Sequence, residues 1–337
     1  MKAKPIYKFY LKCILLALPF LALLGIYVAK DPFMVIRQYR DYDHSRVCLS
    51  EGSVSWKKYQ MLRSRQHYDS FIMGNSCTKA FLCHDWNRWI KGHPFRLFSN
   101  GDDLGDICLK LEALDKQPHQ PLKNILIVTE GDAFENCMPQ SGIMHIMPPD
   151  VTGKSWLSYQ MTFLQGFFSP KFLIPYLKYQ FTGIKTPKMN GIINPEPVSH
   201  QFYTNEYVPS LDDSIHAEGE RYWRKMMNIS MIKAVVPRTD SCVIHQGQIQ
   251  KLQEIVAICH RHHTDLKLVI GPNLKKRRVN PKDIIELRKV LGPQNVFNYT
   301  ADLSLSDYHN FYDKTHYRVG IGRLIMREIY QKQGRKS

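Results

Sequence analysis

Four short apolar runs, each ending in a polar cluster, constrain this chain more than any other feature. They are residues 70–73 (SFIM), 95–98 (FRLF), 124–128 (NILIV) and 266–270 (LKLVI). The third is aliphatic and β-branched with no alternation, the pattern of a strand buried on both faces of a parallel sheet. Helix-like stretches separate the runs: residues 78–90, a segment capped by Asp102 or Asp103 and running to about Leu114, 249–262, and 281–291 with Pro281 in its first turn. A short strand at 296–298 and a terminal helix at 316–333 complete the series. Strand–helix units in this order predict an α/β fold, a doubly wound parallel sheet with helices on both faces.

The regularity breaks between 136 and 246, where Pro, Met and aromatic residues dominate. A helix pair is expected around 156–181, another helix at 213–235, and irregular loops at Pro195, Pro197 and Pro209. That length exceeds a simple crossover, so the stretch reads as a helical insertion over the sheet edge. The α/β domain then spans 66–335, preceded by a polar connecting stretch at 31–65 with a helix near 56–65.

The N-terminus fixes the compartment. Residues 13–29 (CILLALPFLALLGIYVA) carry no charge, and adding 6–10 brings the run to the length of about 20 residues that a bilayer requires. Lys2, Lys4, Lys8 and Lys12 precede or enter this run and no acid does. This predicts a transmembrane signal anchor over 1–30 with the N-terminus cytoplasmic and the remainder extracytoplasmic, periplasmic or at the cell surface. The large residues at 26–28 disfavour signal cleavage.

The net charge of +16 invites a polyanion. The basic residues are scattered and do not interleave with aromatics, which excludes a nucleic-acid platform. The one compact cationic run, Lys275 to Arg278, reads as a solvated loop, with a contact to phosphates or an anionic polymer as the alternative. Eight cysteines show no C-x-x-C pair and no metal-ligand spacing, and seven lie beyond the apolar run. Neither a disulfide framework nor a metal or cofactor site is expected.

In open parallel sheets, chemistry gathers beyond the carboxyl ends of the strands. There stand Gly74-Asn75-Ser76, Ser99-Asn100-Gly101, Thr129-Glu130-Gly131-Asp132 and Gly271-Pro272-Asn273, with Asp313-Lys314-Thr315-His316 far downstream. A serine hydroxyl needs a base to take its proton, and a histidine base needs a carboxylate to hold its tautomer. Ser76, His316 and Asp313 supply the three parts. Ser76 at a helix start also places free N–H groups where an oxyanion would form. Cys77 reads as a packing residue, His262 and His263 as surface helix residues, and Asp302, Asp307 and His309 as loop caps or spares.

A strand leading into Gly-Asn-Ser and a helix, with Asp-x-x-His before the last helix, resembles the SGNH (GDSL-type) hydrolase superfamily over about residues 68–330. Within it, the anchor and insertion are similar to membrane-anchored glycan acylation proteins, among them alginate O-acetyltransferases and the protein that handles D-alanine on teichoic acids. The resemblance implies a flavodoxin-like sheet and a serine esterase or O-acyltransferase acting on acyl esters of a cell-surface or secreted glycan. Ser76 would be the nucleophile, His316 the base and Asp313 its orienting acid. The oxyanion donors would be the N–H groups of Ser76 and Gly101, with Asn100 close by. A membrane-bound partner would deliver the acyl donor, and no cofactor is implied. Two blocks depart from the pattern. Asn75 replaces the family's Asp before the serine, and Glu130-Gly131-Asp132 replaces G-x-N-D, whose Asn completes the oxyanion hole. Either Asn100 or Asn273 substitutes, or activity is weak, or the site is rearranged. The alternative is a non-catalytic SGNH scaffold that binds glycan or organises an envelope assembly.

Overall fold

The structure, a computed structural model, describes residues 4–196, 198–208 and 210–331. Lys2, Pro197, Pro209 and the expected ends of the terminal helix and α/β domain beyond 331 lie outside the described residues. In chain order the principal helices and strands begin with α1 (Lys4–Lys30), α2 (Glu51–Gln66), β1 (Ser70–Gly74), α3 (Cys83–Ile90), β2 (Pro94–Phe98), α4 (Leu104–Asp115) and β3 (Asn124–Thr129). Then come α5 (Trp156–Phe168), α6 (Pro170–Thr182), α7 (Gln246–Arg261), β4 (Asp265–Ile270), α8 (Pro281–Leu291), β5 (Val296–Asn298) and α9 (Val319–Gln331).

The chain divides into two compact units. One comprises Met1–Leu49 and Ser155–Val198. Here α1 is long and apolar enough to cross a membrane, its 27 residues reaching roughly 40 Å at 1.5 Å per residue. Its last turn is tied down firmly. The buried Asp31 carboxylate accepts hydrogen bonds from the N–H groups of Val35, Ile36 and Arg37 and from the Tyr39 hydroxyl, at 2.9–3.1 Å. The Arg37 guanidinium donates to the orphan carbonyls of Val28 and Ala29, capping the helix end. Helices α5 and α6 form a hairpin around this exit, with Tyr27 against Phe167 and Phe33 against Phe163 and Phe172. Gln160 donates to the Val35 carbonyl at 2.8 Å, and Val47 bridges Ile193.

The other unit comprises Ser50–Lys154 and Ser199–Ser337 and holds the five-stranded sheet. All its strand pairs are parallel, in the order β2-β1-β3-β4-β5, which is a doubly wound α/β arrangement. One face packs α2, α4, α7 and α8 through residues such as Trp56, Leu111, Ile255 and Leu287. The opposite face packs α3, α9 and the 211–232 region through Trp86, Ile325 and Trp223. The β2 edge is covered: Arg96 N–H donates to the Thr204 carbonyl, and the Asn205 amide donates to the Arg96 carbonyl, both at 2.9 Å.

Three local expectations differ from what forms. The helix expected near 56–65 forms as α2 but starts earlier, at Glu51, and it is no mere connection, since Trp56, Tyr59 and Leu62 are core residues. The stretch from 136 to 246 is not one insertion: 155–198 joins the unit of α1, while the remainder stays with the sheet. The helix expected at 213–235 is broken into Ser210–Glu218, Glu220–Met226 and Ile229–Lys233, with Gly219 at φ 54° between the first two.

Candidate active site

Strand β1 delivers its last residue, Gly74, into a space only glycine can occupy. Its φ is +128°, and a Cβ there would lie 1.9 Å from the Val128 carbonyl oxygen on neighbouring β3. The chain can thus turn at the strand end and present Ser76 beyond the sheet. The helix expected over 78–90 does not form in one piece. Ser76–Ala80 is a 3₁₀ turn, Leu82 is extended, and α3 begins only at Cys83. The Asn75 side chain accepts the Cys77 N–H at 2.9 Å, and its carbonyl accepts the Thr78 N–H at 3.1 Å. That leaves the Ser76 N–H as the unpartnered donor at the start of the turn, among the described residues.

The turn is fixed from beneath. The Thr78 hydroxyl donates to the Asn75 carbonyl at 2.7 Å and accepts from Arg96 Nε at 2.9 Å. Arg96 is fully buried, lies over the Phe98 ring at 3.5 Å, and has one terminal nitrogen without a partner. Removing a hydroxyl that serves two buried groups costs more than removing a charge that is already poorly paired. Thr78→Val is therefore expected to lose about 1–3 kcal/mol in urea unfolding, and Arg96→Met less. Equal losses, or the reverse order, would show that the guanidinium rather than the hydroxyl secures the turn.

His316 reaches the serine from the other end of the chain. Its Nε2 lies 2.9 Å from Ser76 Oγ, and its Nδ1 lies 2.8 Å from Asp313 Oδ2. In the neutral tautomer that suits both contacts, Nδ1–H donates to Asp313 and Nε2 accepts from Ser76. Asp313 also accepts the N–H groups of Thr315 and His316 at 2.8 and 2.9 Å, and the Thr315 hydroxyl at 2.9 Å. Burial pushes its carboxyl up, but the hydrogen bond and charge of His316, with the backbone donors, hold it well below the usual carboxylate range. Both side chains are partly open, His316 at 22% and Asp313 at 32% exposure, so a substrate can approach them.

The loop carrying these residues is braced by buried aromatics. Phe311 bridges Tyr317, the Tyr312 N–H donates to the His316 carbonyl at 2.8 Å, and Tyr222 and Trp223 donate to the carbonyls of Tyr312 and Phe311 at 3.0 Å. Helix α9 starts at Val319, three residues later than expected. Its Gly322 sits against Ala80, where a Cβ would fall 1.9 Å from the Ala80 oxygen, so helix and serine turn are in direct contact.

The other expected residues are placed less directly. Asn100 and Gly101 form an exposed turn after β2, Gly101 at φ +68°, joined to β1 through the Ser99 N–H on the Gly74 carbonyl at 3.3 Å. No hydrogen bond links either to Ser76 or His316 among the described residues. The Asn273 amide is committed to its own loop, accepting from Arg277 N–H at 3.0 Å and donating to Arg277 O at 2.9 Å, rather than bonding to the serine turn. His309 is engaged on both nitrogens, by Asp307 and Glu220, and Asp302 caps a 3₁₀ turn. The Cys77 thiol is buried, and burial together with the Glu130 charge pushes it well up, which disfavours the thiolate a nucleophile needs.

A cavity of about 160 Å³ adjoins the Asp313–His316 loop, lined among others by Glu130, Asp132, Asn273, Lys275, Arg277 and Thr315. Burial, then the Asp132 charge, pushes the Glu130 carboxyl up to about 7. Relative to the unfolded chain, the folded state binds the extra proton between about pH 4.5 and 7. The stabilisation linked to Glu130 is thus fully present below pH 4.5 and lost as pH rises through 7. Glu130→Gln is expected to flatten that slope. Urea unfolding at pH 5 and pH 8 is the measurement, and a wild-type difference retained in the variant would contradict it. In sequence Glu130 stood out only as a departure from a motif; its cavity is closed by residues some 145 positions away.

Compared with known proteins, the chain matches no family model and no curated protein sequence.

Proposed function

We propose that this chain is an extracytoplasmic, membrane-anchored serine esterase or O-acyltransferase of the SGNH type, acting on acetyl-like esters of a cell-surface or secreted glycan. The observation that carries the reading is the continuous chain of contacts Asp313–His316–Ser76, in the order that activates a serine. Ser76 Oγ attacks the ester carbonyl while His316 Nε2 takes the proton. Asp313 holds the ring and stabilises the imidazolium. The free Ser76 N–H, with the Gly101 N–H and Asn100, is the candidate oxyanion donor set. His316 returns the proton to the leaving alkoxide, leaving acyl-Ser76. Water or a sugar hydroxyl, deprotonated by the same histidine, then resolves the acyl-enzyme to acid or to a new ester. Helix α1 serves as the anchor, oriented by its N-terminal lysines with the N-terminus in the cytoplasm. Transfer would draw its acyl group from a membrane-bound donor partner.

Two observations favour the second reading, a glycan-binding scaffold without turnover. Glu130-Gly131-Asp132 offers no side-chain amide after β3, and Ser76 opens a 3₁₀ turn rather than an α-helix. The full chain in detergent micelles, treated with a fluorophosphonate and mapped by peptide mass, separates the two. A single adduct at Ser76 together with chromogenic acetyl-ester turnover supports catalysis. An unlabelled serine and turnover at background would leave the scaffold reading.

A further inference from the structure

The segment from Ser155 to Pro195 contains four lysines and not one acid, in a chain with 30 acidic residues. It forms the α5–α6 hairpin, which packs around the last turn of α1. The inward faces are accounted for: Tyr159, Phe163 and Phe167 of α5 and Phe172 and Tyr176 of α6 are buried. The outward faces are apolar as well. On α5, Trp156, Leu157 and Met161 are 60%, 66% and 41% exposed. On α6, Ile174 and Phe181 are 65% and 84% exposed, and half-buried Leu177 lies between them. Ile174, Leu177 and Phe181 follow i, i+3, i+7 spacing, so they form one ridge along the helix. Lys171 and Lys178 stand beside that ridge, three residues before Ile174 and Phe181, where long side chains can reach from an apolar layer to a charged one. A second apolar face on an already packed hairpin marks a surface that meets something other than water.

We propose that the α5–α6 hairpin is a membrane-surface element whose outer face, led by Trp156, Leu157, Ile174 and Phe181, enters the interfacial layer of the bilayer that α1 crosses, while Lys171 and Lys178 meet anionic headgroups. The inference rests on α1 being a membrane span. Its occupant follows from continuity: Tyr27, in the last turn of α1, and Phe33, just beyond it, are packed inside the hairpin, so a bilayer around α1 reaches the hairpin next. Exposed aromatic and aliphatic residues flanked by lysines are the composition of helices that lie at a lipid interface.

The test uses the full chain in nanodiscs containing phosphatidylglycerol, with p-benzoylphenylalanine replacing Phe181 in one sample and Leu18 in another. After irradiation, adducts are identified by mass. Lipid adducts at both positions support the proposal. A lipid adduct at position 18 with none at 181 overturns it while leaving the anchor intact, and adducts at neither overturn both. In native membranes, an adduct at 181 to one protein of fixed mass in place of lipid would assign the face to a protein partner and overturn the lipid reading. Adding Lys171→Glu and Lys178→Glu is expected to lower the yield at 181 several-fold with that at 18 unchanged; an unchanged yield at 181 overturns the headgroup contact.

Discussion

On the proposed serine chemistry, Ser76→Ala is expected to abolish fluorophosphonate labelling and to lower acetyl-ester turnover by roughly 10⁴-fold or more, to what binding and oxyanion contacts alone sustain. The expectation rests on the division of labour: among the described residues Ser76 is the one hydroxyl bonded to His316 Nε2, and Asp313 bonds to the other ring nitrogen. His316→Ala is expected to lose about as much, and the double variant no more, because residues acting as a unit are not additive. Asp313→Asn keeps the shape but favours the wrong tautomer, at a cost again of about 10⁴-fold. Folding separates these from structural damage. Ser76 is only partly buried and hydrogen bonded to a side chain that is itself partly open, so Ser76→Ala should unfold within about 0.5 kcal/mol of the wild type. A variant that retains labelling, or loses activity only in step with its stability, would remove Ser76 from the chemistry.

Gly74→Ala should give the largest loss of stability, about 3–5 kcal/mol from backbone strain and overpacking together. At φ +128° an L-residue is strained whatever surrounds it, and here the added methyl would lie 1.9 Å from the Val128 oxygen and 2.9 Å from its carbon. Both atoms belong to β3, so relief requires β1 and β3 to part at the end that carries Ser76 and Glu130. The melting temperature should fall by roughly 10 °C, at 2–4 °C per kcal/mol for a unit of this size. Gly320→Ala is the matched control. That site, in the first turn of α9, has open space around it and ordinary φ, so the change should be neutral or stabilising by about 0.5–1 kcal/mol. Equal melting temperatures for the two variants would contradict the close approach of the strands.

The sheet was legible in the sequence because it is written locally. The unalternating run at 124–128 can hardly be anything but a strand buried on both faces, and β3 is that strand. The two ends of the Ser76–His316–Asp313 contact chain were legible for the same reason, since Gly74-Asn75-Ser76 and Asp313-x-x-His316 are short motifs that need no distant partner to be noticed. The features that failed to show were non-local. Apolar spacing continues through Phe81 and Leu82, so nothing local announces that the serine turn is 3₁₀ and that the helix restarts at Cys83. Helix α2 looks polar because what it buries includes Ser53, Ser55 and Lys58, residues read as solvated until their surroundings are known. The join of 155–198 to the N-terminal segment rests on contacts such as Gln160 to Val35 and Val47 to Ile193, more than 120 residues apart, which no window can register. Arg96, the support beneath Thr78, was hidden inside a strand whose one charged residue offered no hint of what it held.

The cover over β2 has a bearing on how copies of this chain live together. A protein held by a membrane helix diffuses in a plane, where neighbours collide far more often than they would in free solution. An open strand edge in such company is a template for pairing with the next copy, and eventually for aggregation. Here Thr204 and Asn205 occupy the main-chain groups of Arg96 at one border, and the opposite border is β5, only three residues long. With α1 as the proposed anchor, crowding in the bilayer would find little edge on which one sheet could extend into another.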